Sequence, residues 1–161
     1  MGQRNAVVDA AALRTVANRF DHAAQLIDGA VRAHFGSLAF DGATAVGWCE
    51  LAPRADLDWL AHGRYFRPVD ELPVWSVPCF YVRRTHRRHG VMGGLIGAAV
   101  GVAASAGAPA LEAYPVDTAV PGHTRNLFLG VASVFAQHGF EVVARRQPDR
   151  PIMRKVLGAA T

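Results

Sequence analysis

The chain has 161 residues, of which 51% are hydrophobic and 19% are charged. This balance supports a buried core and excludes a disordered chain, and the length fits one domain over residues 1–161. The formal net charge of +4 favours anionic partners, which include nucleic acid, anionic lipid and phosphorylated cofactors. Cys49 and Cys79 form neither a metal-binding spacing nor a disulfide framework, and no apolar stretch follows Met1. We therefore expect a reducing, cytoplasmic location.

The N-terminal part is predicted to be helical over residues 5–35, because apolar residues recur there at helical spacing. The recurring residues are Val7, Val8, Ala11, Ala12, Val16, Phe20, Ala23, Ala24, Ile27 and Val31. A hairpin is expected next, since residues 37–40 and 45–51 are apolar runs on either side of a turn that begins Asp41-Gly42. A short helix over residues 54–62 is expected before a loop.

Two apolar segments in the second half indicate strands. Residues 74–82 contain Pro78, which cannot donate a ladder hydrogen bond, so we expect a bulge or an unpaired stretch there. Residues 110–116 form the second segment, and the long helical crossover between the two implies parallel strands in an α/β layered domain. The remaining predicted elements are a helix over 124–138 that ends at Gly139, and closing strands at 140–145 and 151–157.

The junction after Val82 carries the most specific chemistry. A basic run over residues 83–89 leads to Gly90, and no charged residue follows before Glu112. The N–H groups at a helix N-terminus are unpaired and carry partial positive charge, and glycine lets an anion approach the backbone closely. Together with the arginines, these groups predict a phosphate-binding loop.

Three other interpretations of this junction are open. The run is compatible with a solvated turn, or with a nucleic-acid patch, although it is short, lacks aromatic residues and opens a helix. Gly93, Gly97 and Gly101 recur at the spacing of a membrane helix with a small-residue face. The segment is poor in bulky apolar residues and is interrupted at 105–109, so a helix packed closely on a sheet through its glycines explains it better.

The junction resembles the cofactor loop of the GNAT superfamily of acetyl-CoA-dependent N-acyltransferases, whose motif is Q/R-x-x-G-x-G/A. The loop in this chain contains Arg87, Arg88, His89, Gly90, Val91, Met92 and Gly93. It matches the motif at Arg87 and Gly90 and departs from it at Met92. Residues 45–157 as a whole resemble consecutive GNAT elements in the same order, which is more specific than the loop alone.

The resemblance implies a GNAT fold: a mixed central sheet with helices on both faces and a splayed pair of parallel strands. It implies acetyl-CoA as co-substrate and a cofactor-binding core over residues 74–138. Backbone groups of Phe80, Tyr81 and Val82 would bind the pantetheine arm, and the thioester would lie in the gap between the splayed strands. Ser133 and Phe135 would lie along the cofactor.

Two departures from the family pattern concern chemistry and the N-terminus. Many GNAT enzymes carry a tyrosine at the position of Phe135, where its hydroxyl can protonate the leaving thiolate, and a phenyl ring cannot do so. A thiol has a pKa near ~8.5, so the thiolate leaves without much help. The family begins with a strand before its first helices, whereas this chain is predicted to begin with helix.

The reaction requires a neutral amine, so a base is expected. Glu112 is the candidate base because it lies in an apolar strand beside the predicted gap, although strand alternation is nearly as compatible with a side chain that points to solvent or to a structural arginine. Tyr114 is expected on the same face of this strand as Glu112. It is a candidate acid or a contact for the acceptor substrate, or else a core residue whose hydroxyl is hydrogen-bonded. Glu50 is a candidate for the acceptor pocket and is equally compatible with a solvent-facing side chain. The oxyanion is expected to bind a backbone N–H of the bulged strand.

The predicted function is therefore acetyl transfer from acetyl-CoA to a primary amine of a small molecule or protein, by direct attack in a ternary complex. The histidines, including His86 and His89, lack further ligands at metal-binding spacing, so no metal is expected, and Cys79 is expected to be an inert thiol. The alternatives are a degenerate GNAT-fold domain that binds CoA, or a nucleic-acid module using residues 83–89. A homodimer through the closing strands is compatible with the sequence, and no membrane partner is expected.

Overall fold

A computed structural model describes residues 14–19, as main chain only, and residues 35–158. The strands in these ranges are β1 (Arg14–Arg19), β2 (Phe35–Asp41), β3 (Thr44–Pro53), β4 (Trp75–Ser76), β5 (Phe80–Val82), β6 (Ala110–Ala113), β7 (Glu141–Gln147) and β8 (Arg150–Val156). The α-helices are α1 (Asp58–His62), α2 (Val91–Ser105) and α3 (Ala132–Gln137), and 3-10 turns lie at Arg54–Asp56 and Arg84–His86.

The described strands form one mixed sheet in the order β1-β2-β3-β4-β6-β8-β7, and β5 also pairs with β3. Strands β4 and β6 are parallel, joined by the crossover that contains α2, and the other named pairs are antiparallel. The predicted hairpin and the predicted parallel pair are both confirmed. The architecture is the mixed α/β sheet with a splayed parallel pair that the sequence led us to expect.

The splay begins where the predicted strand over 74–82 is interrupted. Ser76 faces Glu112 in the last parallel register pair, and the N–H of Val77 donates to the carbonyl of Glu112 at 2.9 Å. Pro78 follows, and β5 then pairs with β3 rather than with β6. The expected interruption at Pro78 is confirmed. It divides one predicted strand into β4 and β5 and opens a gap beside β6.

Successive side chains along β6 point to opposite faces of the sheet and pack in two different clusters. Leu111 and Ala113 lie in the main core beneath α2. Glu112 and Tyr114 point to the opposite face, where Tyr114 packs in a second apolar cluster. The other buried members of that cluster are Ala52, Leu57, Leu60 and Ile152. The sheet is therefore covered by α2 and α3 on one face and by the link between β3 and β4 on the other.

The prediction of helix over residues 5–35 is wrong for residues 14–19 and for Phe35. Residues 14–19 form β1, which pairs antiparallel with β2 in register from Arg14↔Phe40 to Arg19↔Phe35. Pairing with the hairpin edge outweighs a weak helical spacing, because tertiary contacts override local preference. The N-terminal strand expected from the family is thus present. The rest of the predicted helical segment lies outside the described residues.

Helix α2 is confirmed, but its packing differs from the expectation of close contact through glycines. Leu95, Ile96 and Ala99 are fully buried against the sheet. A Cβ added at Gly94, Gly97 or Gly101 would meet no atom within 4 Å, so this stripe faces outward. A Cβ at Gly93 would meet only the His138 ring. Apolar side chains, and not glycines, therefore pack the helix against the sheet.

No helix among the described residues has the length and apolarity needed to cross a membrane.

The helix predicted over 124–138 is limited to α3, Ala132–Gln137. Gly130 has φ +86°, which ends any helix that approaches it, and residues 128–132 instead bond to neighbouring strands. Gly139 has φ +79° and ends α3 as predicted. Similarly, the predicted strand 110–116 is regular only to Ala113, with one isolated parallel bridge between Val116 and Val131.

Candidate active site

The predicted phosphate loop lies between β5 and α2 and has the backbone shape that anion binding requires. Gly90 is the N-cap residue of α2, with φ +76° and ψ 2°, and as a glycine it provides no side-chain cap. Arg88 has φ +63°. Alternation of left-handed and other conformations turns successive N–H groups toward one concavity. The first N–H groups of α2 therefore follow a turn whose backbone shape favours an anion.

Basic side chains surround this loop, and two contacts fix its path. Arg83, Arg84, Arg87 and Arg88 are all exposed. The Nε of Arg87 donates to the carbonyl of Val82 at 3.1 Å. The ring of His86 contacts Asp41 of the β2–β3 turn at 3.1 Å, which ties the loop to the hairpin. His86 thus has a structural contact.

The loop residues fit the pyrophosphate of acetyl-CoA. The fit rests on the left-handed Gly90 at the start of a 15-residue helix and on four exposed guanidinium groups. In addition, the buried Nδ1 of His89 has no hydrogen-bond partner among the described residues. A buried ring nitrogen without a partner among these residues can donate to an anionic oxygen, which fits a phosphate group.

The gap between β5 and the end of β6 is occupied by the chain itself. The N–H of Phe80 donates to the carbonyl of Phe128 at 2.6 Å. On the other side, the N–H of Val116 donates to Gly130 and the N–H of Ala132 donates to Val116, both at 2.9 Å. Residues 128–132 therefore bridge the two splayed strands through main-chain bonds. Sequence reasoning missed this segment because it was assigned to a helix.

Side chains of α2 and α3 seat this bridging segment. A Cβ added to Gly130 would lie 2.6 Å from the Met92 methyl carbon and 2.8 Å from the Phe135 ring. Phe135 is fully buried, with ring centroids 5.7 Å from Phe80 and 5.0 Å from Phe140. It is a core residue here, so contact with a cofactor requires the covering segment to move. Ser133 is exposed.

On the opposite face of the sheet, a cavity of about 320 Å³ lies next to the vertex of the splayed pair. It is lined by Pro53, Arg54, Ala55, Pro68, Val69, Asp70, Glu71, Leu72, Pro73, Val74, Glu112 and Arg154. Its wall is mostly the link between β3 and β4. Asp70 and Glu71 are exposed, whereas Glu112 is buried. The cavity thus combines an apolar wall with an acidic exposed side.

Glu112 lies at the vertex, in a network of charged and hydroxyl groups. Arg154 donates to its Oε1 from Nη2 at 2.6 Å and from Nε at 3.0 Å, and the Arg54 Nε lies 3.9 Å from Oε2. Tyr114 donates to Oε2 at 3.2 Å and lies 2.9 Å from the hydroxyl of Ser76. Burial, followed by the charge of Glu112, raises the pKa of Tyr114, so its hydroxyl stays protonated. The structure brings the two candidate catalytic residues, Glu112 and Tyr114, into contact, and both have hydrogen-bond partners.

Three arginines hold the cavity-lining link by its main chain and by one carboxylate. Arg146 on β7 donates to the carbonyls of Tyr65, Arg67 and Pro68. Arg54 donates to the carbonyl of Phe66, and Arg154 makes a paired contact with Asp70. Nothing in the local sequence of Arg146 indicates these contacts, because they join residues about eighty positions apart.

Glu50 and Cys79 lie together near β5, away from the lining of the cavity. The N–H of Glu50 donates to the carbonyl of Cys79 at 3.0 Å. Burial raises the pKa of the half-buried Cys79 thiol, and Glu50 raises it further. Cys79 is therefore protonated near neutral pH, in agreement with an unreactive thiol.

Among residues 36–158, no group of three or more His, Cys, Asp or Glu side chains is placed to hold a metal ion. Two of the acidic and histidine side chains near the site are paired with other side chains. Glu112 contacts Arg154, and His86 contacts Asp41. The absence of a metal remains a prediction.

Comparison with solved structures agrees with this geometry. The chain has the fold of GNAT N-acetyltransferases. It is similar to the ribosomal-protein-S18-alanine N-acetyltransferase from Escherichia coli, with TM-score 0.57 and 10% identity over 92% of this chain and 96% of that one. It is also similar to an acetyltransferase of the GNAT family from Streptococcus pneumoniae, with TM-score 0.54 and 14% identity over 91% of this chain and 99% of that one.

A third similar structure is the NatC complex bound to Gag peptide and CoA, with TM-score 0.52 and 10% identity over 92% of this chain and 99% of that one. No protein-family model matches the chain, and no curated protein sequence matches it. At these identities the comparisons establish the fold, and the activity must be argued from the site.

Proposed function

We propose that the protein transfers an acetyl group from acetyl-CoA to a primary amine by direct attack in a ternary complex. One observation carries the proposal: the parallel pair opens beside a basic loop that ends in a left-handed Gly90 at the start of α2. A phosphate-binding loop at the end of the strand that borders the gap would place an acyl chain inside the gap. The GNAT fold supports this arrangement.

The donor would bind along the α2 side of the sheet. Arg87, Arg88 and the N–H groups after Gly90 would hold the pyrophosphate, and the edge of β5 would hold the pantetheine arm. Acetyl-CoA supplies an activated thioester. The N–H of Phe80 points into the gap, where it meets the carbonyl of Phe128, and it would donate to the developing oxyanion.

The acceptor amine would approach through the cavity on the opposite face. Asp70 is engaged by Arg154, whereas no hydrogen bond or ion pair is recorded for Glu71 within the described part of the chain. An ammonium group is attracted by an unpaired carboxylate, so Glu71 would draw a cationic amine toward the vertex. The proline and leucine residues of the wall would contact its carbon chain.

Glu112 receives a different role from the predicted one. Both carboxylate oxygens of Glu112 already accept hydrogen bonds within the protein, Oε1 from Arg154 and Oε2 from Tyr114, so the group is engaged in structural contacts. We therefore propose that Glu112 fixes the vertex of the gap, together with Tyr114 and Ser76. Its buried charge also keeps Arg154 in place between β6 and the β3–β4 link.

Isothermal titration with acetyl-CoA tests the donor site on wild type, Gly90→Asp and the control Gly107→Asp. Both glycines have left-handed φ, +76° and +77°, and they lie at opposite ends of α2. The two variants therefore add the same strain and the same charge. We expect micromolar binding by wild type and Gly107→Asp and a loss of at least about tenfold in Gly90→Asp, because a carboxylate would lie where the pyrophosphate binds.

Turnover with a panel of amines then separates an enzyme from a domain that only binds CoA. Release of CoA that depends on the amine supports the proposal. Binding without turnover on any amine would favour the degenerate domain. If folded wild type binds duplex or single-stranded nucleic acid in a salt-dependent way and ignores acetyl-CoA, residues 83–89 would instead be a nucleic-acid site.

A further inference from the structure

We infer that residues 127–131, here called the plug, occupy the place of the acyl thioester in the free protein and must be displaced by acetyl-CoA. The inference rests on the proposed function. In the structure, the carbonyl of Phe128 accepts the N–H of Phe80 at 2.6 Å. This is the N–H group that the proposed mechanism assigns to the thioester oxygen. A carbonyl of the protein thus occupies the position that the mechanism requires for a carbonyl of the substrate.

The plug is bonded to both borders of the gap. On one side, the bonded residue is Phe80 of β5. On the other side it is Val116, which follows β6: its N–H donates to the carbonyl of Gly130, and its carbonyl accepts the N–H of Ala132, the residue after the plug. The N–H of Gly130 donates to the carbonyl of Leu127 at 2.9 Å, which closes a turn within the plug. An acyl chain between β5 and β6 would need the same main-chain groups and the same space. The plug and the donor therefore cannot be bound together.

The plug is held weakly enough to leave. Leu127 and Phe128 expose 43% and 53% of their surface, so little apolar area is lost when these residues move. Its attachment consists mainly of a few main-chain bonds, each of which acetyl-CoA or water can replace. The following helix is anchored independently by Phe135, which is fully buried.

The plug also contacts the phosphate loop through Met92. Gly130 lies so close to the Met92 methyl carbon that an added Cβ would be 2.6 Å from it. Met92 occupies the motif position where the GNAT family has glycine or alanine, so this departure gives the plug a contact on α2. Seating of the plug and the shape of the first turn of α2 are thereby coupled.

The test measures acetyl-CoA affinity in wild type, Gly130→Ala and the control Gly122→Ala. Gly130 and Gly122 both have left-handed φ, +86° and +71°, but a Cβ at Gly122 would meet nothing within 4 Å. The substitution Gly130→Ala raises the energy of the plug while it lies in the gap, but not after it has been displaced. We expect acetyl-CoA to bind Gly130→Ala about fivefold more tightly, and Gly122→Ala within about twofold of wild type.

Hydrogen exchange on wild type gives a second readout that does not depend on how a variant folds. If the plug is displaced, the amides of Gly130 and Ala132 should exchange faster when acetyl-CoA is saturating. Exchange that is unchanged or slower, with Gly130→Ala binding no more tightly than Gly122→Ala, would overturn the inference while the proposed function stands. If none of the three proteins binds acetyl-CoA, the proposed function fails and the inference fails with it.

Discussion

Arg154 donates to Oε1 of Glu112 from two nitrogens, at 2.6 Å and 3.0 Å. The same guanidinium donates to both oxygens of Asp70 on the β3–β4 link, at 2.6 Å and 3.0 Å. One side chain of β8 therefore joins a buried strand at the centre of the sheet to the link that walls the cavity. Loss of the Glu112 or the Asp70 carboxylate should therefore affect both the centre of the sheet and the link, but to different extents.

Glu112→Gln should destabilise the protein by about 2–3 kcal/mol, because the amide removes the charge that compensates a largely buried guanidinium. The expected fall in melting temperature is roughly 5–10 °C for a chain of this size. Asp70→Asn is the matched control and should change the stability much less than Glu112→Gln, since Asp70 is exposed and its ion pair is screened by solvent. A kcat loss above about a hundredfold without a change in stability would restore Glu112 as the base.

Glu71→Gln should raise the KM for a cationic acceptor by roughly threefold to tenfold and leave the acetyl-CoA KM unchanged, because it removes a carboxylate at the cavity that has no ion-pair partner among the described residues. Added salt should raise the wild-type acceptor KM and have a smaller effect on the variant. Steady-state kinetics at two ionic strengths measure both quantities. Equal salt dependence in the two proteins would place the acceptor elsewhere.

Phe135→Tyr should not create a catalytic acid, although the GNAT pattern has tyrosine at this position. Phe135 is fully buried between Phe80 and Phe140, and the added hydroxyl would enter an apolar core. We expect a loss of about 1–3 kcal/mol in urea unfolding and no gain in kcat. An increase in kcat in the folded variant would show that the ring reaches the leaving thiolate.

Asp149 should contribute a pH-dependent part of the stability. Its Oδ2 accepts the N–H and the hydroxyl of Thr124, both at 2.8 Å, and these bonds hold the pKa of Asp149 below its ordinary value of 3.8. Because the folded pKa is lower than the unfolded one, this stabilisation is complete above about pH 5 and is lost as the pH falls through the folded pKa.

Urea unfolding of wild type and Asp149→Asn from pH 2.5 to 7 measures this contribution. The difference in unfolding free energy should be constant above about pH 5 and should shrink below about pH 4. A difference that stays constant down to pH 2.5 would mean that the ionised carboxylate is not what Thr124 requires.

The parts of the fold that sequence predicted well are those determined by short-range chemistry. The Asp41-Gly42 turn, Pro78 in an apolar strand, and Gly90 before an uncharged helix each have one local physical meaning. The structure shows a hairpin, an interrupted strand and a helix start at these places. The basic loop could be placed for the same reason.

The parts that sequence missed depend on distant contacts. Val16 has helical spacing with its neighbours, but the edge of β2 makes residues 14–19 a strand. Residues 127–131 include Leu127 and Val131, which suit a helix face, yet their main chain bonds to β5 and to Val116. The glycines of α2 face outward because the sheet contacts its larger side chains. Periodicity alone carries none of this information.

Arg146 holds the β3–β4 link by the carbonyls of Tyr65, Arg67 and Pro68, groups that every amino acid provides. The course of the link therefore depends little on its side chains, apart from that of Asp70, which Arg154 holds. Substitutions at Val69, Glu71 and Leu72 can alter the size and charge of the cavity while its backbone stays in place. In evolution or in the laboratory, the shape and charge of the cavity can drift at these positions without rebuilding the fold.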